Sequence, residues 1–169
     1  MIEDVVKELG YLALGTRLKR VGERLQAQTQ VVLGEAGIDF PASHFPLLAA
    51  LDRLGDVSVG ELAEALGASQ PGVTRMLDRL EAEGLVESTQ SVDDRRVRTI
   101  GLAKPGRQLV SRAKRSVWPV VEAAVADACA GPARSLLAAL SAFEEAITAA
   151  SLAVRAERLR AEAGNDVST

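Results

Sequence analysis

Cysteine and histidine occur once each in this 169-residue chain, as Cys129 and His44. A single thiol makes no intramolecular disulfide. One Cys with one His also all but removes His/Cys zinc clusters and Cys-His nucleophile pairs. Without disulfides the chain reads as intracellular. Aromatic residues amount to only 3%, and Ala, Leu and Val supply most of the apolar content, which suits helices better than a sandwich or barrel. No uninterrupted apolar run approaches the roughly 18 residues of a membrane span, and Met1-Ile2-Glu3-Asp4 opens nothing like a signal peptide. Glu122, Asp127, Glu144 and Glu145 offer carboxylates, but no nucleophile, base and oxyanion donors gather around them in a readable pattern. The expectation is a cytoplasmic, non-enzymatic protein with no metal or cofactor.

What is present points the other way, toward nucleic acid. Apolar residues make up 47% of the chain and charged ones 25%, enough for a core in one domain with appended helices. The net charge is −3, but it is unevenly spread. Between Ser69 and Arg115 lie ten basic and six acidic residues, a net of +4, which leaves −7 for the rest. A basic region inside an acidic protein is an electrostatic footprint that the overall charge conceals.

The periodicity predicts a long helix from about Ile2 to Glu35, with Leu14, Leu18, Val21, Leu25 and Val32 at helical spacing, closed by Gly34 and Gly37. A second helix is expected from about Ser43 to Leu54, carrying Phe45, Leu48 and Leu51 inward and broken by Gly55-Asp56. Ser58-Val59-Gly60-Glu61 has the spacing of a capping box, and Leu62, Ala63 and Leu66 line the short helix behind it, up to Gly67. Ser69 can cap a further helix with Pro71 in its first turn. Val73, Met76, Leu77 and Leu80 form its stripe, and Gly84 ends it. Two short helices joined by a tight Gly-containing turn are a helix-turn-helix. Leu85 to Thr89 and Val97 to Leu102 then read as two strands around the charged turn Asp93-Asp94-Arg95-Arg96, which completes a winged helix.

From Lys104 onward the pattern is helical again, with a kink expected at Pro119 near Trp118 and a break at Gly131-Pro132. Leu136, Leu140, Phe143, Ile147, Ala150 and Val154 form a seam for packing another helix. The tail from Glu162 should fray. The fold class is mainly α with a small β-hairpin wing. It divides into an N-terminal helix (1–42), the winged helix-turn-helix (43–104) and C-terminal helices (105–169).

On a helical wheel Pro71, Arg75 and Asp78 point away from the apolar stripe with Thr74 on their flank, and Gln70, Gly72 and Arg79 border that face. Arg can bond guanine bidentately, Gln can read adenine, and Thr can reach a phosphate or a thymine methyl. The free amides at the helix start, beside Ser69, can hold a phosphate. The plain alternative is a solvated face with an Arg75–Asp78 or Arg79–Glu83 pair. Arg95, Arg96 and Arg98 sit at or near the hairpin tip, where an arginine can enter a minor groove and Asp94 can hold its guanidinium in place.

Glu61-Leu62-Ala63, Thr74 to Leu80, Gly84-Leu85-Val86 and Asp94-Arg95-Arg96, followed by Leu102 and Gly106, resemble the MarR family of bacterial transcriptional regulators. The resemblance covers roughly Phe45 to Arg107. It implies a homodimer whose terminal helices intertwine into a dimerisation region, with two winged helices on a pseudo-palindromic stretch of double-stranded DNA. It further implies that Arg75 lies over the major groove, and that Arg96 is the minor-groove arginine, oriented by Asp94. The implied function is a repressor released by a small-molecule effector. Ala103 departs from the family, which usually has Thr there as a helix cap.

His44 and Trp118 are candidate effector-binding residues, since family effectors often bind between the dimerisation helices and the winged helix. A capping or exposed histidine and a tryptophan that fills a helix interface are the alternatives. Cys129, among alanines and valine, reads as a small packed residue. Two other functional classes remain open: a protein-interaction module, and a ligand or redox sensor whose winged helix is not used mainly for DNA.

Overall fold

The structure is a computed structural model that describes residues 3–90 and 98–166. It separates into two compact units, Met1–Glu122 and Ala123–Thr169.

The first unit begins with α1 (Val5–Glu8), a 3-10 turn at Gly10–Ala13 and α2 (Leu14–Glu35). The single helix expected from Ile2 is therefore broken. Gly10 takes φ +55, a left-handed conformation that no helix continues through. Asp4 anchors the broken piece, accepting two bonds from the Arg20 guanidinium at 3.0 and 2.9 Å. The far end of α2 closes at Gly37, whereas Gly34, expected to help close it, lies inside the helix. Gly37 adopts φ +66, and the Ile38 amide donates to the Leu33 carbonyl at 2.8 Å. This is the six-to-one bond of a Schellman cap, with Leu33 and Ile38 both buried behind it. Gln30 fastens the connector that follows, donating to the Phe40 carbonyl at 3.1 Å and accepting from the Ala42 amide at 2.8 Å.

A 3-10 turn at Ala42–His44 leads into α3 (Phe45–Leu54), so the helix expected from about Ser43 begins two residues later. Phe45, Leu47, Leu48 and Leu51 are buried. Gly55 (φ +77) then releases the chain into β1 (Val57–Ser58), α4 (Val59–Ala65) and α5 (Gln70–Ala82). The capping box is present in full. The Glu61 amide donates to Ser58 Oγ at 3.2 Å, and the Ser58 amide donates to Glu61 Oε2 at 2.8 Å. Strands β2 (Val86–Gln90) and β3 (Arg98–Leu102) pair antiparallel, in register Val86↔Leu102 through Gln90↔Arg98. β1 adds to the other side of β3, Val57 facing Ile100. That third strand was not anticipated, because two residues are too few to show a period.

Helix α6 (Lys104–Ser116) returns over the sheet and α3. The N-cap position is Ala103, and no side chain caps the helix. Gly106 is required by contact rather than by φ, since a Cβ there would overlap the Leu85 carbonyl oxygen. The core gathers at the meeting of these elements, with Leu48, Leu62, Leu80 and Val110 wholly buried. No polar or charged residue is buried among the described residues.

The interruption expected near Pro119 falls at Val117. α6 ends at Ser116 and α7 runs Trp118–Ala128, so that Pro119 falls in its first turn, where the missing N–H costs little.

In the second unit, Gly131 (φ +72) opens a 3-10 turn at Gly131–Ala133. α8 (Leu136–Ala149) and α9 (Leu152–Asp166) follow. The continuous seam expected through Ala150 and Val154 is not formed. Ala150 is extended (φ −148, ψ 121), and the two helices meet at 77°. Ser151 starts α9 by accepting from the Val154 amide at 3.4 Å. Arg155 reaches back to the Ala150 and Ala146 carbonyls at 3.0 and 2.5 Å, satisfying the open end of α8. The helix extends to Asp166, and residues 167–169 of the tail expected to fray lie outside the described residues. No single helix among the described residues is long and apolar enough to cross a membrane.

Candidate nucleic-acid interface

Helix α5 exists because its apolar residues recur at helical spacing and find a core. Val73, Leu77 and Leu80 are buried and Met76 is half-buried. The opposite face is left to solvent. Gln70, Pro71, Thr74, Arg75, Asp78 and Arg79 are all exposed. The capped start of α4 stands beside the start of α5, and the Gln70 side chain lies across Gly60, whose added Cβ would stand 3.1 Å from Gln70 Nε2. Between them opens a groove of about 610 Å³ lined by Val59, Gln70, Pro71, Thr74 and Arg75. Val59 was not singled out from the sequence. As the first helical residue behind the capping box, it faces the same side as the start of the next helix.

Local bonds orient the groove's side chains. Thr74 Oγ1 donates to the Gln70 carbonyl at 2.9 Å, and Arg75 Nε donates to the Pro71 carbonyl at 3.2 Å. Of the two ion pairs weighed against a binding role, Arg79 does make one, its Nε lying 3.1 Å from Glu83 Oε1, while Arg75 instead bonds the backbone. Ser69 occupies the N-cap position of α5 but makes no capping hydrogen bond. The expected cap is therefore absent and the helix start stays open. Gly72 lies under Ser69, 3.1 Å separating its added Cβ from the Ser69 hydroxyl.

The basic footprint is narrower than its count. Lys114 pairs with Asp52, Arg112 donates to the Ala36 carbonyl at 2.7 Å and Arg107 donates to the Leu102 carbonyl. These three cations serve packing between elements. Asp94, Arg95 and Arg96 lie outside the described residues, and Arg98 is placed by its backbone as the first residue of β3.

The two effector candidates part company. Trp118 lines an apolar cleft of about 350 Å³ with Leu25, Thr29, Phe45 and Ala49, Thr29 and Gln26 being its polar contributors. It meets Phe45 edge-on at 6.5 Å. His44 is not among the lining residues. It is half-buried, tilted against Phe40 at 5.6 Å, and its Nδ1 is buried without a hydrogen-bond partner. Burial, seconded by the Arg79 charge, holds the imidazole below its ordinary value of 6.5. Cys129 is half-buried just past α7 with a free thiol. No group of three or more His, Cys, Asp or Glu able to hold a metal ion occurs among the described residues.

Three helices, a turn between the second and third, and a paired hairpin define a winged helix-turn-helix. Residues 38–97 match the model of the MarR family. The transcriptional repressor MdtR of Bacillus subtilis is 33% identical over 89 residues, which are 53% of this chain and 56% of MdtR. The regulator PapX of Escherichia coli is 27% identical over 55% of this chain and 57% of its own length. The chain thus spans little more than half of these curated relatives. Among solved structures, the repressor CouR bound to a 23-mer DNA duplex superposes with a TM-score of 0.65 at 29% identity, covering 81% of this chain and 96% of that one. A mutant of MarR from E. coli complexed with operator DNA gives a TM-score of 0.69 over 83% of this chain and 98% of that one. At 21% identity it bears on the fold alone.

Proposed function

We propose that this chain is a sequence-specific DNA-binding transcriptional regulator of the bacterial cytoplasm. It acts as a homodimeric repressor on a pseudo-palindromic operator and is released by a small-molecule effector. The observation that carries the reading is the exposed face of α5, where Gln70, Thr74 and Arg75 ring a groove and the opposite face is fixed in the core. A helix so held presents its side chains to base edges in the major groove. Ser69, Gln70, Pro71 and Gly72, at the open helix start, meet a phosphate. Arg79 lies further along the same helix. Asp94, Arg95, Arg96 and Arg98 belong to the wing, with Arg96 directed to the minor groove.

Segments 1–42 and 105–169 form the dimerisation region around the DNA-binding segment 43–104. In support, α2 exposes Leu18, Val21 and Leu25, and α8 exposes Leu136, Phe143 and Ile147. Such rows of apolar side chains mark protein contacts. The apolar cleft beside Trp118 takes the effector. An occupant there changes the spacing of the two recognition helices, which must match half-sites about 34 Å apart.

Fluorescence anisotropy with duplexes from the region upstream of the chain's own gene tests the proposal. Tight binding to one duplex, weakening steeply between two salt concentrations, is expected because phosphate contacts release counterions. Equal and feeble binding to every duplex, persisting after bound ligand is stripped by refolding, overturns it.

A further inference from the structure

The residue types alone leave Thr74 two uses, a phosphate through its hydroxyl or a thymine through its methyl. The structure separates them. The hydroxyl has one hydrogen, and Thr74 Oγ1 donates it to the Gln70 carbonyl one turn back, at 2.9 Å. A Thr bound to its own helix in this way no longer offers a donor to an incoming phosphate. Its methyl remains. The groove that Thr74 borders is carbon-rich elsewhere as well, with Val59 and Pro71 in its lining. Arg75 shares that lining, and its Nε is occupied by the Pro71 carbonyl at 3.2 Å. The two terminal nitrogens are the part of the guanidinium left for a ligand, and they are the pair that bonds guanine O6 and N7.

We infer that the groove between α4 and α5 is a subsite for the 5-methyl group of a thymine, flanked in the half-site by a guanine bonded by Arg75. Thr74 is then a specificity residue through its methyl and not through its hydroxyl. The inference rests on the DNA-binding reading above and deepens it. Cytosine lacks the methyl and turns an amino donor to the groove, so Val59, Pro71 and the Thr74 methyl disfavour it.

The test uses the full chain and an operator selected from a randomised duplex pool. Each thymine of a half-site is replaced singly by deoxyuridine, which keeps every hydrogen-bonding group and removes only the methyl. One thymine next to a guanine should then cost about fourfold in affinity per half-site, the worth of one methyl buried. Thr74→Ser keeps the hydroxyl and its back-bond but drops the methyl, so it should lose that thymine-to-uracil ratio. Thr74→Val drops the hydroxyl and should keep the ratio, whatever its absolute affinity. Replacing the neighbouring guanine by its 7-deaza analogue should weaken the wild-type chain and leave Arg75→Ala indifferent. A chain that selects an operator in a salt-dependent way but ignores every methyl, or that keeps the ratio in Thr74→Ser, overturns the subsite alone. A chain that selects no duplex overturns the DNA-binding reading and the subsite with it.

Discussion

Two glycines of the same chain should respond in opposite directions to the same added methyl group. Gly106 lies in the first turn of α6, directly against the turn that joins α5 to β2. A Cβ there would overlap the Leu85 carbonyl oxygen and stand 3.0 Å from its carbon. That carbonyl accepts from the Ala103 amide at 3.0 Å, so moving it also disturbs the bond that seats the end of β3. Overpacking of this kind costs about 1–3 kcal/mol, and the strained hydrogen bond adds about 1 kcal/mol. The gain in helix propensity from Gly to Ala offsets about 1 kcal/mol. Gly106→Ala should therefore destabilise by about 2 kcal/mol, which lowers Tm by about 4–8 °C for a chain of this size. Gly34, on the exposed side of α2, has nothing within 4 Å of an added Cβ and no positive φ. Gly34→Ala should stabilise by about 0.5–1 kcal/mol. Thermal unfolding followed by circular dichroism, at one fixed protein concentration, reads both. Equal shifts of the same sign would refute the claim that Gly106 is held by contact with Leu85.

Further tests are more local. Ser58→Ala removes the capping box of α4 and should cost about 1 kcal/mol, read as a lower midpoint in urea. Hydrogen bonds from the Ser58 hydroxyl and amide hold the Glu61 carboxyl below its ordinary value of 4.5. Its contribution is therefore present above that value and lost as pH falls through the depressed one, and a pH series of Ser58→Ala should lack that part of the acid loss. The histidine at position 44 is the sole one in the chain and has a lowered folded value. Below 6.5 the unfolded chain binds a proton that the folded chain resists, so stability falls from 6.5 downward. His44→Phe should flatten that slope, and the ring's own NMR titration should midpoint below 6.5. Arg155→Ala uncovers the Ala146 and Ala150 carbonyls and should raise amide exchange at the junction of α8 and α9.

The winged helix was legible because each of its elements carries a local chemical signature. Ser58 and Glu61 announce one helix start, Pro71 another, and Gly55, Gly67 and Gly84 take the positive φ that ends the preceding helices. What sequence misjudged was continuity. Helical spacing runs straight past Gly10 and Ala150, yet the chain breaks at each. Periodicity reports which face is apolar and not whether two turns share an axis. The site divides in the same manner. Which residues of α5 face outward follows from the wheel. That Thr74 bonds Gln70, Arg75 bonds Pro71, and Arg79 is tied to Glu83 depends on rotamers, which no spacing encodes. Charge counting overshot for a related reason, since Arg107, Arg112 and Lys114 spend their charge on Leu102, Ala36 and Asp52.

The central claim is that α5 reads bases through Arg75. The direct measurement is the ratio of affinities for a selected operator and a scrambled duplex, taken for the wild-type chain and for Arg75→Ala at the same salt. The account predicts that the ratio falls by about 5- to 150-fold, the equivalent of 1–3 kcal/mol for one bidentate base contact, while scrambled-duplex binding changes far less. An unchanged ratio would contradict it and would place the reading surface elsewhere on the molecule.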